Sequence, residues 1–169
     1  MDDKKIPGMR PGIRMGMGYD VHPLAAGRPL ILGGATIPHH QGLVGHSDAD
    51  CLVHAICDAL LGAISAGDLG RHFPDSDPRY KDVESLVLLR KVIEIVNQKG
   101  FVIVNIDATI VAQAPRLAPY LPQMEERIAE TMGVEKERVN IKATSPEGLG
   151  FTGQGEGIAS YAVALVEGK

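Results

Sequence analysis

The feature that most constrains this chain is the stretch at residues 45–62, GHSDADCLVHAICDALLG. Asp50, His54 and Asp58 recur there at every fourth position, in a segment that is otherwise mostly apolar. Because an α-helix turns about 100° per residue, this spacing keeps the three side chains within one narrow stripe. The apolar residues fall on roughly the opposite side: Leu52, Ile56, Ala59, Leu60 and Ala63. The pattern predicts an amphipathic helix that buries one face and exposes the polar stripe.

The start of this helix carries a second signal. Ser47 is followed three residues later by Asp50, a spacing that resembles a capping box and predicts Ser47 as the N-cap. His54 would then lie on the solvent side, near the helix end where free backbone N–H groups attract anions. An acidic stripe at such an end favours a metal ion between the protein and an anionic ligand.

The size and charge of the chain restrict its function. Its 169 residues suit one compact domain, which we place at residues 13–169 after a disordered tail at residues 1–12. The tail lacks an apolar core and resembles neither a signal peptide nor a transit peptide. A net charge of -4 gives no reason to expect nucleic acid binding, and no apolar run reaches the ~18 residues that cross a membrane. Cys51 and Cys57 lie in one helix and cannot readily pair, which indicates a reducing compartment such as the cytoplasm.

The rest of the chain alternates between strand and helix patterns. Period-two alternation predicts a strand at residues 13–20, and a Gly-Gly turn predicts a hairpin at residues 29–38. After the central helix, residues 67–77 are rich in Gly, Pro and Asp and predict a loop. The remaining segments are a helix at 82–99, one long strand or two short ones at 101–111, a proline-rich loop at 112–122, a helix ending near Gly133, and strands at 138–144 and 158–166. This order predicts an α/β (α+β) sandwich, a mixed β-sheet with helices stacked on one face.

The most specific chemistry lies in Asp20, His22 and His54. Asp20 and His22 are two residues apart at the end of the first strand, so their side chains point the same way. One carboxylate and two imidazoles suit a tetrahedral Zn²⁺ site whose fourth position stays open for substrate. Asp58, one turn after His54, is placed to orient that imidazole. The alternative is a strand-end turn and a surface histidine without a metal, and spacing alone leaves both open.

Other polar positions carry weaker predictions. His46 and Ser47 precede the central helix and are candidates for phosphate binding, although Ser47 could simply be a cap. His39 and His40 fit a solvated turn, and His72 fits a loop position without a function. The stretch at 148–153 matches G-x-G-x-x-G, but a strand pattern follows instead of a helix, which argues against a dinucleotide site. Just upstream, residues 142–147 place hydroxyls and a carboxylate at a strand end, either to bind phosphate and Mg²⁺ or as a simple polar turn.

Four blocks of the sequence, taken together, resemble the 2-C-methyl-D-erythritol 2,4-cyclodiphosphate synthase family: MGMGYDVHPL, GLVGHSDADCLVHAICDALLGAISAGDLGRHFPDSDP, DATIVAQAPRLAPYLPQM and VNIKATSPEGLGFTGQGEGIA. The resemblance implies a chorismate-mutase-like (Bacillus type) fold that forms homotrimers, with each active site between two subunits. It implies a lyase of the methylerythritol phosphate route to isoprenoids. That enzyme converts 4-diphosphocytidyl-2-C-methyl-D-erythritol 2-phosphate into a cyclic diphosphate and CMP. The pathway and the absence of a transit peptide together imply a bacterial, cytoplasmic protein.

Matching positions imply roles for individual residues. Asp20, His22 and His54 would bind one Zn²⁺ per subunit, and Glu147 would bind a second divalent ion, Mg²⁺ or Mn²⁺. His46 and Ser145 would be catalytic, as stabilisers of the transition state. Further residues would contact the substrate: Ser47, Asp68, Gly70, Phe73, Pro74, Asp75, Ser76, Asp77, Ala112, Gln113, Ala114, Pro115, Arg116, Leu117, Ala118, Thr144, Phe151 and Gln154. Of these, residues 112–118 and Thr144 would form a cytidine pocket supplied by the neighbouring subunit.

Some positions depart from residues common in that family. Ser145 replaces Thr and keeps the hydroxyl, and Arg116 replaces Lys and keeps the charge. Gln154 replaces an Arg that in some members lines a central trimer cavity for isoprenoid diphosphates, which argues against such binding here. Two other functions fit the same residues. A metal-dependent phosphohydrolase would need a positioned water and give a linear product, and a non-enzymatic trimer with structural zinc would need a fourth protein ligand.

Overall fold

A five-stranded mixed sheet organises the molecule. The structure, a computed structural model, describes residues 12–74, 76–80 and 82–169, so the predicted tail lies outside it except for Gly12. The strands are β1 (Arg14–Ala26), β2 (Leu30–Leu32), β3 (Ala35–Ile37), β4 (Gln41–Leu43), β5 (Phe101–Val111), β6 (Val139–Thr144) and β7 (Gly157–Gly168). The sheet order is β4-β1-β7-β5-β6, in which β5 and β6 are parallel and the other neighbours antiparallel. Strands β2 and β3 form the predicted separate hairpin, closed by Gly33 and Gly34, both with positive φ.

The three long helices pack on one face of this sheet: α1 (Cys51–Ala63), α3 (Ser85–Gln98) and α4 (Leu121–Met132). The other two, α2 (Leu69–His72) and α5 (Gly150–Gly153), are single turns. On β7, Ala162, Ala164 and Val166 are buried on the helix side, whereas Tyr161 and Val163, which alternate with them, are exposed. This alternation is that of a sheet with one covered face. The predicted α/β sandwich is therefore confirmed. Within the described ranges, no helix has the length and apolar character needed to span a bilayer.

Two glycines of β1 bring the central helix unusually close to the sheet. A Cβ atom added at Gly16 would lie 2.0 Å from the Ala59 carbonyl oxygen, and one at Gly18 would lie 1.9 Å from that of Ala55. No larger residue fits there without moving a backbone. Since Asp20 and His22 continue the same side of β1, this contact also sets their distance from α1.

The start of α1 differs from the prediction. The helix begins at Cys51 and its N-cap is Asp50, whose carboxylate accepts a hydrogen bond from Val53 N. Ser47 is therefore not the N-cap. Asp50 is fully buried and not on a solvent-facing stripe, because its other oxygen accepts a 2.7 Å hydrogen bond from Gly34 N in the hairpin turn. The helix is buried almost all round, and His54 and Asp58 are its half-buried positions.

Two segments predicted as irregular contain single helical turns. In residues 67–77, Asp68 caps α2 by accepting a hydrogen bond from Arg71 N. In the glycine-rich stretch after β6, α5 forms one turn and is followed by β7. The latter arrangement lacks, in the described chain, the long helix that a dinucleotide site requires. The long helices and strands otherwise fall within a few residues of their predicted ends, except that β1 extends to Ala26.

Candidate active site

Three predicted ligands converge where β1 meets the first turn of α1. Asp20 Oδ2 lies 3.0 Å from His22 Nε2 and 3.0 Å from His54 Nδ1, and the two nitrogens are 3.3 Å apart. Tetrahedral zinc with bonds of about 2.0–2.1 Å places neighbouring ligand atoms roughly 3.3 Å apart. The three side chains therefore fit one face of a tetrahedral metal site.

The hydrogen bonds behind the two imidazoles determine which nitrogen can bind a cation. His22 Nδ1 lies 3.0 Å from the Val44 carbonyl oxygen, which can only accept, so Nδ1 donates and Nε2 carries the lone pair. Ser85 Oγ donates its proton to Asp48 Oδ1, so it accepts from His54 Nε2 at 2.9 Å, and His54 Nδ1 carries the lone pair. Two lone pairs and a carboxylate oxygen thus point at one position, an arrangement that needs a cation at its centre.

The electrostatics of the cluster agree with this reading. Burial by itself raises the pKa of Asp20, but hydrogen bonds to both imidazoles outweigh it and hold that pKa below the usual range. Burial likewise opposes a charge on His54, yet the contact with Asp20 raises its pKa. The lowered pKa of Asp20 favours its negatively charged form, and the raised pKa of His54 favours positive charge beside it. The cluster therefore stabilises a positive charge between these side chains.

The ligand set leaves a coordination position open. Within residues 12–74, 76–80 and 82–169, the potential metal-binding group consists of Asp20, His22 and His54 alone. Structural zinc sites in proteins are usually closed by four protein ligands, whereas catalytic sites keep a position for substrate or water. The three described side chains therefore resemble an open metal site more than one closed by four protein ligands.

Asp58 does not orient His54 as predicted. Its Oδ1 accepts a 2.7 Å hydrogen bond from Leu69 N, and among the described residues no hydrogen bond joins it to the imidazole. Burial raises its pKa. Its structural role is to hold the start of α2 against α1. Burial also raises the pKa of Asp50, to about 6, against the effect of three backbone N–H donors.

A cavity of about 240 Å³ opens next to the three ligands. The predicted site residues His46, Ser47, Gly70 and Phe73 line it. The Nε2 atom of His46 is buried without a hydrogen-bond partner among the described residues, which is costly unless a ligand supplies one. Ser47 is buried, and its hydroxyl lies 3.2 Å from His54 Nε2 and accepts from Ala49 N. Other lining residues are Asp20, His22, His54, Asp58, Leu69, Tyr80 and Leu88.

A second cavity, of about 280 Å³, is lined by the residues predicted to bind cytidine, except Ala114. Its lining consists of Ala112, Gln113, Pro115, Arg116, Leu117, Ala118, Ala143, Thr144 and Ser145. These segments are far apart in sequence but meet because β5 and β6 run parallel, with Val111 opposite Thr144, so both strands end at the same edge. Ala112 N donates to the Thr144 carbonyl oxygen at 3.1 Å and joins the two loops.

The remaining predicted residues lie around these cavities. Glu147 is exposed in a turn with φ of 55°, and its N–H donates to Ser145 Oγ. Gln154 lines a third, smaller cavity with Ala114, His39 and His40, and Phe151 is 45% exposed. Asp68 and Asp77 are engaged in local hydrogen bonds to Arg71 N and Arg79, and Pro74 and Ser76 are exposed. Asp75 lies outside the described residues. His72 donates to the Ala66 carbonyl oxygen, in agreement with a structural role.

Sequence reasoning missed three residues of the metal-side cavity and its surroundings. Asp48 and Ser85 are bonded to each other behind His54, and Tyr80 packs edge-on against Phe73 with ring centroids 5.3 Å apart. Asp48 stands inside the S-D-x-D block, so its acidity was a usable signal. Ser85 and Tyr80 gave none, since their proximity depends on how α3 docks on α1.

The site agrees with comparisons to known proteins. A sequence model of the YgbB family matches residues 13–167. A relative from Geobacter sulfurreducens, named 2-C-methyl-D-erythritol 2,4-cyclodiphosphate synthase, is 60% identical over 157 residues, which cover 93% of this chain and 100% of the relative. The bifunctional IspDF structure from Campylobacter jejuni aligns with a TM-score of 0.90 and 39% identity over 93% of this chain, which spans 42% of that longer chain. The Plasmodium falciparum IspF–CDP complex aligns with a TM-score of 0.83 and 29% identity, covering 95% of this chain and 99% of that one. The chain therefore belongs to the YgbB family, and it is similar to the cyclodiphosphate synthases named above.

Proposed function

We infer that this chain is a 2-C-methyl-D-erythritol 2,4-cyclodiphosphate synthase, a lyase of the methylerythritol phosphate pathway of isoprenoid biosynthesis. The observation that carries this function is one cavity in which three ligand atoms converge beside a buried His46 Nε2 that has no partner among the described residues. A divalent cation and a phosphoryl oxygen are the partners that these groups need. The identity to a relative named for this reaction supports the same function.

In the proposed reaction the substrate supplies its own nucleophile. An oxygen of its 2-phosphate forms a bond to the β-phosphorus, and the bond from that phosphorus to the oxygen shared with the α-phosphate breaks. CMP leaves with the electron pair, and the cyclic diphosphate remains. No water or protein nucleophile is consumed, so catalysis depends on positioning and on stabilising negative charge.

The residues of the chain divide this work between them. His46 Nε2–H and the Ser145 hydroxyl donate hydrogen bonds to phosphoryl oxygens as charge develops. The aromatic ring of Phe73 and the backbone at Gly70 hold the methylerythritol part, and the strand-end cavity at residues 112–118 holds cytidine. A Zn²⁺ ion held by Asp20, His22 and His54, with a second divalent ion, Mg²⁺ or Mn²⁺, held by Glu147, would supply positive charge to the phosphates.

We further propose that a homotrimer completes each active site. The metal-side and cytidine-side cavities share no lining residue, and each is smaller than the ~300 Å³ at which ligand pockets begin. The open face of the sheet is also strongly apolar, with Met15, Met17 and Tyr161 68%, 63% and 48% exposed. A face of this kind favours contact with another subunit. The CDP complex of the Plasmodium falciparum relative supports a cytidine diphosphate-linked substrate.

The location we propose is the cytoplasm of a bacterium. Cys51 and Cys57 are both free, buried thiols, a state that a reducing compartment preserves.

The function is tested by following the diphosphocytidyl substrate with Mg²⁺ by ³¹P NMR, before and after zinc is stripped with a chelator. We expect equal amounts of CMP and cyclic diphosphate, loss of both after stripping, and recovery with Zn²⁺. His46→Ala should lower the rate at least tenfold. Glu130→Ala, which alters an exposed side chain that lines none of the cavities assigned to the substrate, is the control. A linear phosphate product would support a phosphohydrolase instead, and a folded, zinc-loaded protein without turnover would support a binding protein.

The shared site is tested by mixing two inactive variants. Asp20→Asn damages the metal side, and Ser145→Ala damages the cytidine side. If each site joins two subunits, unfolding and refolding an equal mixture should restore about one quarter of the sites, since that fraction combines two intact halves. A mixture as inactive as its components would mean that each chain builds its site alone.

A further inference from the structure

We propose that Asp48 and Ser85 are a positioning pair for His54. The pair holds the imidazole in its metal-binding tautomer and increases the affinity of the site for the ion. The inference rests on the metal centre of the proposed function and adds two residues that act through a ligand. Asp48 lies in the loop before α1, and Ser85 is the first residue of α3, so the pair joins two helix starts through one carboxylate.

The direction of the hydrogen bonds is fixed by chemistry. The Asp48 carboxylate accepts from Ser85 N at 2.9 Å, from the Ser85 hydroxyl, and from Asp50 N at 3.2 Å. A serine hydroxyl has one proton, and here that proton goes to the carboxylate. Its lone pair must then accept from His54 Nε2 at 2.9 Å, which leaves His54 Nδ1 free to face Asp20.

The surroundings of Ser85 separate this role from simple packing. Its side chain is fully buried, and a backbone contact from Ser85 N to Asp48 would cap α3 without any hydroxyl. The hydroxyl adds a connection from carboxylate to imidazole, equivalent to a carboxylate–histidine–metal arrangement with one hydroxyl inserted. His22 is held differently, by the neutral Val44 carbonyl oxygen. Of the two imidazoles, His54 is therefore the one that is linked, through the Ser85 hydroxyl, to a negatively charged carboxylate.

The test measures metal affinity instead of turnover. Zn²⁺ binding to the purified full chain is measured by competition with a chromophoric chelator, and Co²⁺ is added separately to record the visible absorption of the site. We expect Ser85→Ala to weaken Zn²⁺ binding 10–100-fold and to shift the Co²⁺ band, since the support of a ligand has that effect. Asp48→Asn keeps the size and one acceptor but removes the charge, so a smaller loss in the same direction is expected.

Ser160→Ala is the matched control. Ser160 is equally buried, but its hydroxyl contacts Cys51 Sγ at 3.3 Å and not His54. The inference is overturned if Ser85→Ala and Asp48→Asn both bind Zn²⁺ within twofold of the Ser160→Ala protein. Asp48→Asn conserves the volume of the side chain. If Ser85→Ala fails to fold, the Zn²⁺ affinity of Asp48→Asn relative to Ser160→Ala tests the inference by itself. Failure of the unaltered protein to bind one Zn²⁺ or Co²⁺ per chain would instead overturn the metal centre itself, and this inference with it.

Discussion

The two cavities that we assign to one reaction are built in opposite ways. On the metal side, the polar atoms behind the ligands are already paired: His22 Nδ1 with a carbonyl oxygen, and His54 Nε2 with a serine hydroxyl. The ligand side chains are at most about a quarter exposed. On the cytidine side, Gln113, Thr144 and Ser145 are exposed at the ends of two strands.

This difference indicates how the work is divided. Metal ligands must be held in place before an ion arrives, and packing of α1 on β1 achieves that within one chain. Loops at strand ends are suited to adjust to a ligand, and they complete a site when another surface covers them. Changes on the metal side should therefore affect folding and function together, whereas changes on the cytidine side should affect function alone.

Gly18→Ala should have the largest effect on stability. The new Cβ would lie 1.9 Å from the Ala55 carbonyl oxygen and 2.8 Å from Ala59 N, so a backbone must move. Overpacking typically costs about 1–3 kcal/mol and occasionally more, and we expect a value of about 3 kcal/mol or above here because no flexible side chain can yield. We expect a lower urea midpoint together with weaker Zn²⁺ binding, because α1 carries His54 away from Asp20.

Gly62→Ala is the control for Gly18→Ala. It adds the same methyl group to α1, where the nearest atom is the Met17 carbonyl oxygen at 4.0 Å. Alanine is also the better helix former, by up to about 1 kcal/mol. Equal destabilisation by both substitutions would contradict the view that the β1–α1 contact positions the metal site.

Asp50→Ala should have the second-largest effect. The carboxylate caps α1 through Val53 N and fixes the hairpin turn through Gly34 N. Losing a cap and leaving a buried N–H without a partner should together cost about 2–3 kcal/mol in the free energy of unfolding. Asp50→Asn keeps one acceptor and should lie between wild type and Asp50→Ala. A loss below about 0.5 kcal/mol for Asp50→Ala would show that water replaces both bonds.

The convergence of Asp20, His22 and His54 was predictable from sequence because each position follows from local geometry. Residues two apart on a strand share a side, and an imidazole in the first turn of a packed helix points along a known direction. The parallel pairing that brings residues 112–118 next to Thr144 was not predicted. Resemblance to a family grouped these residues in one pocket, and periodicity did not. Local sequence patterns were also sufficient to predict the hairpin and the long helices.

The errors have one physical origin, which is contact between distant segments. Asp50 was expected in solvent because it shares a stripe with His54. In the structure the β2–β3 turn covers it, and its carboxylate accepts a hydrogen bond from Gly34 N. Asp58 was expected to support His54, yet its carboxylate accepts a hydrogen bond from Leu69 N. This bond stabilises the start of α2, where composition predicted a loop. Ser85 is 31 residues from His54, so no pattern in the chain could join them.

Glu147→Gln should have the smallest effect on stability and still impair the response of the enzyme to Mg²⁺. Glu147 is exposed and has no charged partner among the described residues, so the free energy of unfolding should change by less than about 0.5 kcal/mol. If its carboxylate holds the second divalent ion, the Mg²⁺ concentration for half-maximal CMP release should rise at least tenfold. Glu147→Gly separates the carboxylate from the backbone, because it removes the same charge and relieves the positive φ of 55°. The glycine variant should be as stable as wild type or more so, and equally impaired in Mg²⁺ response. A glutamine variant with the Mg²⁺ response of wild type would instead restrict Glu147 to shaping its turn, and the second divalent ion would then need a ligand other than this carboxylate.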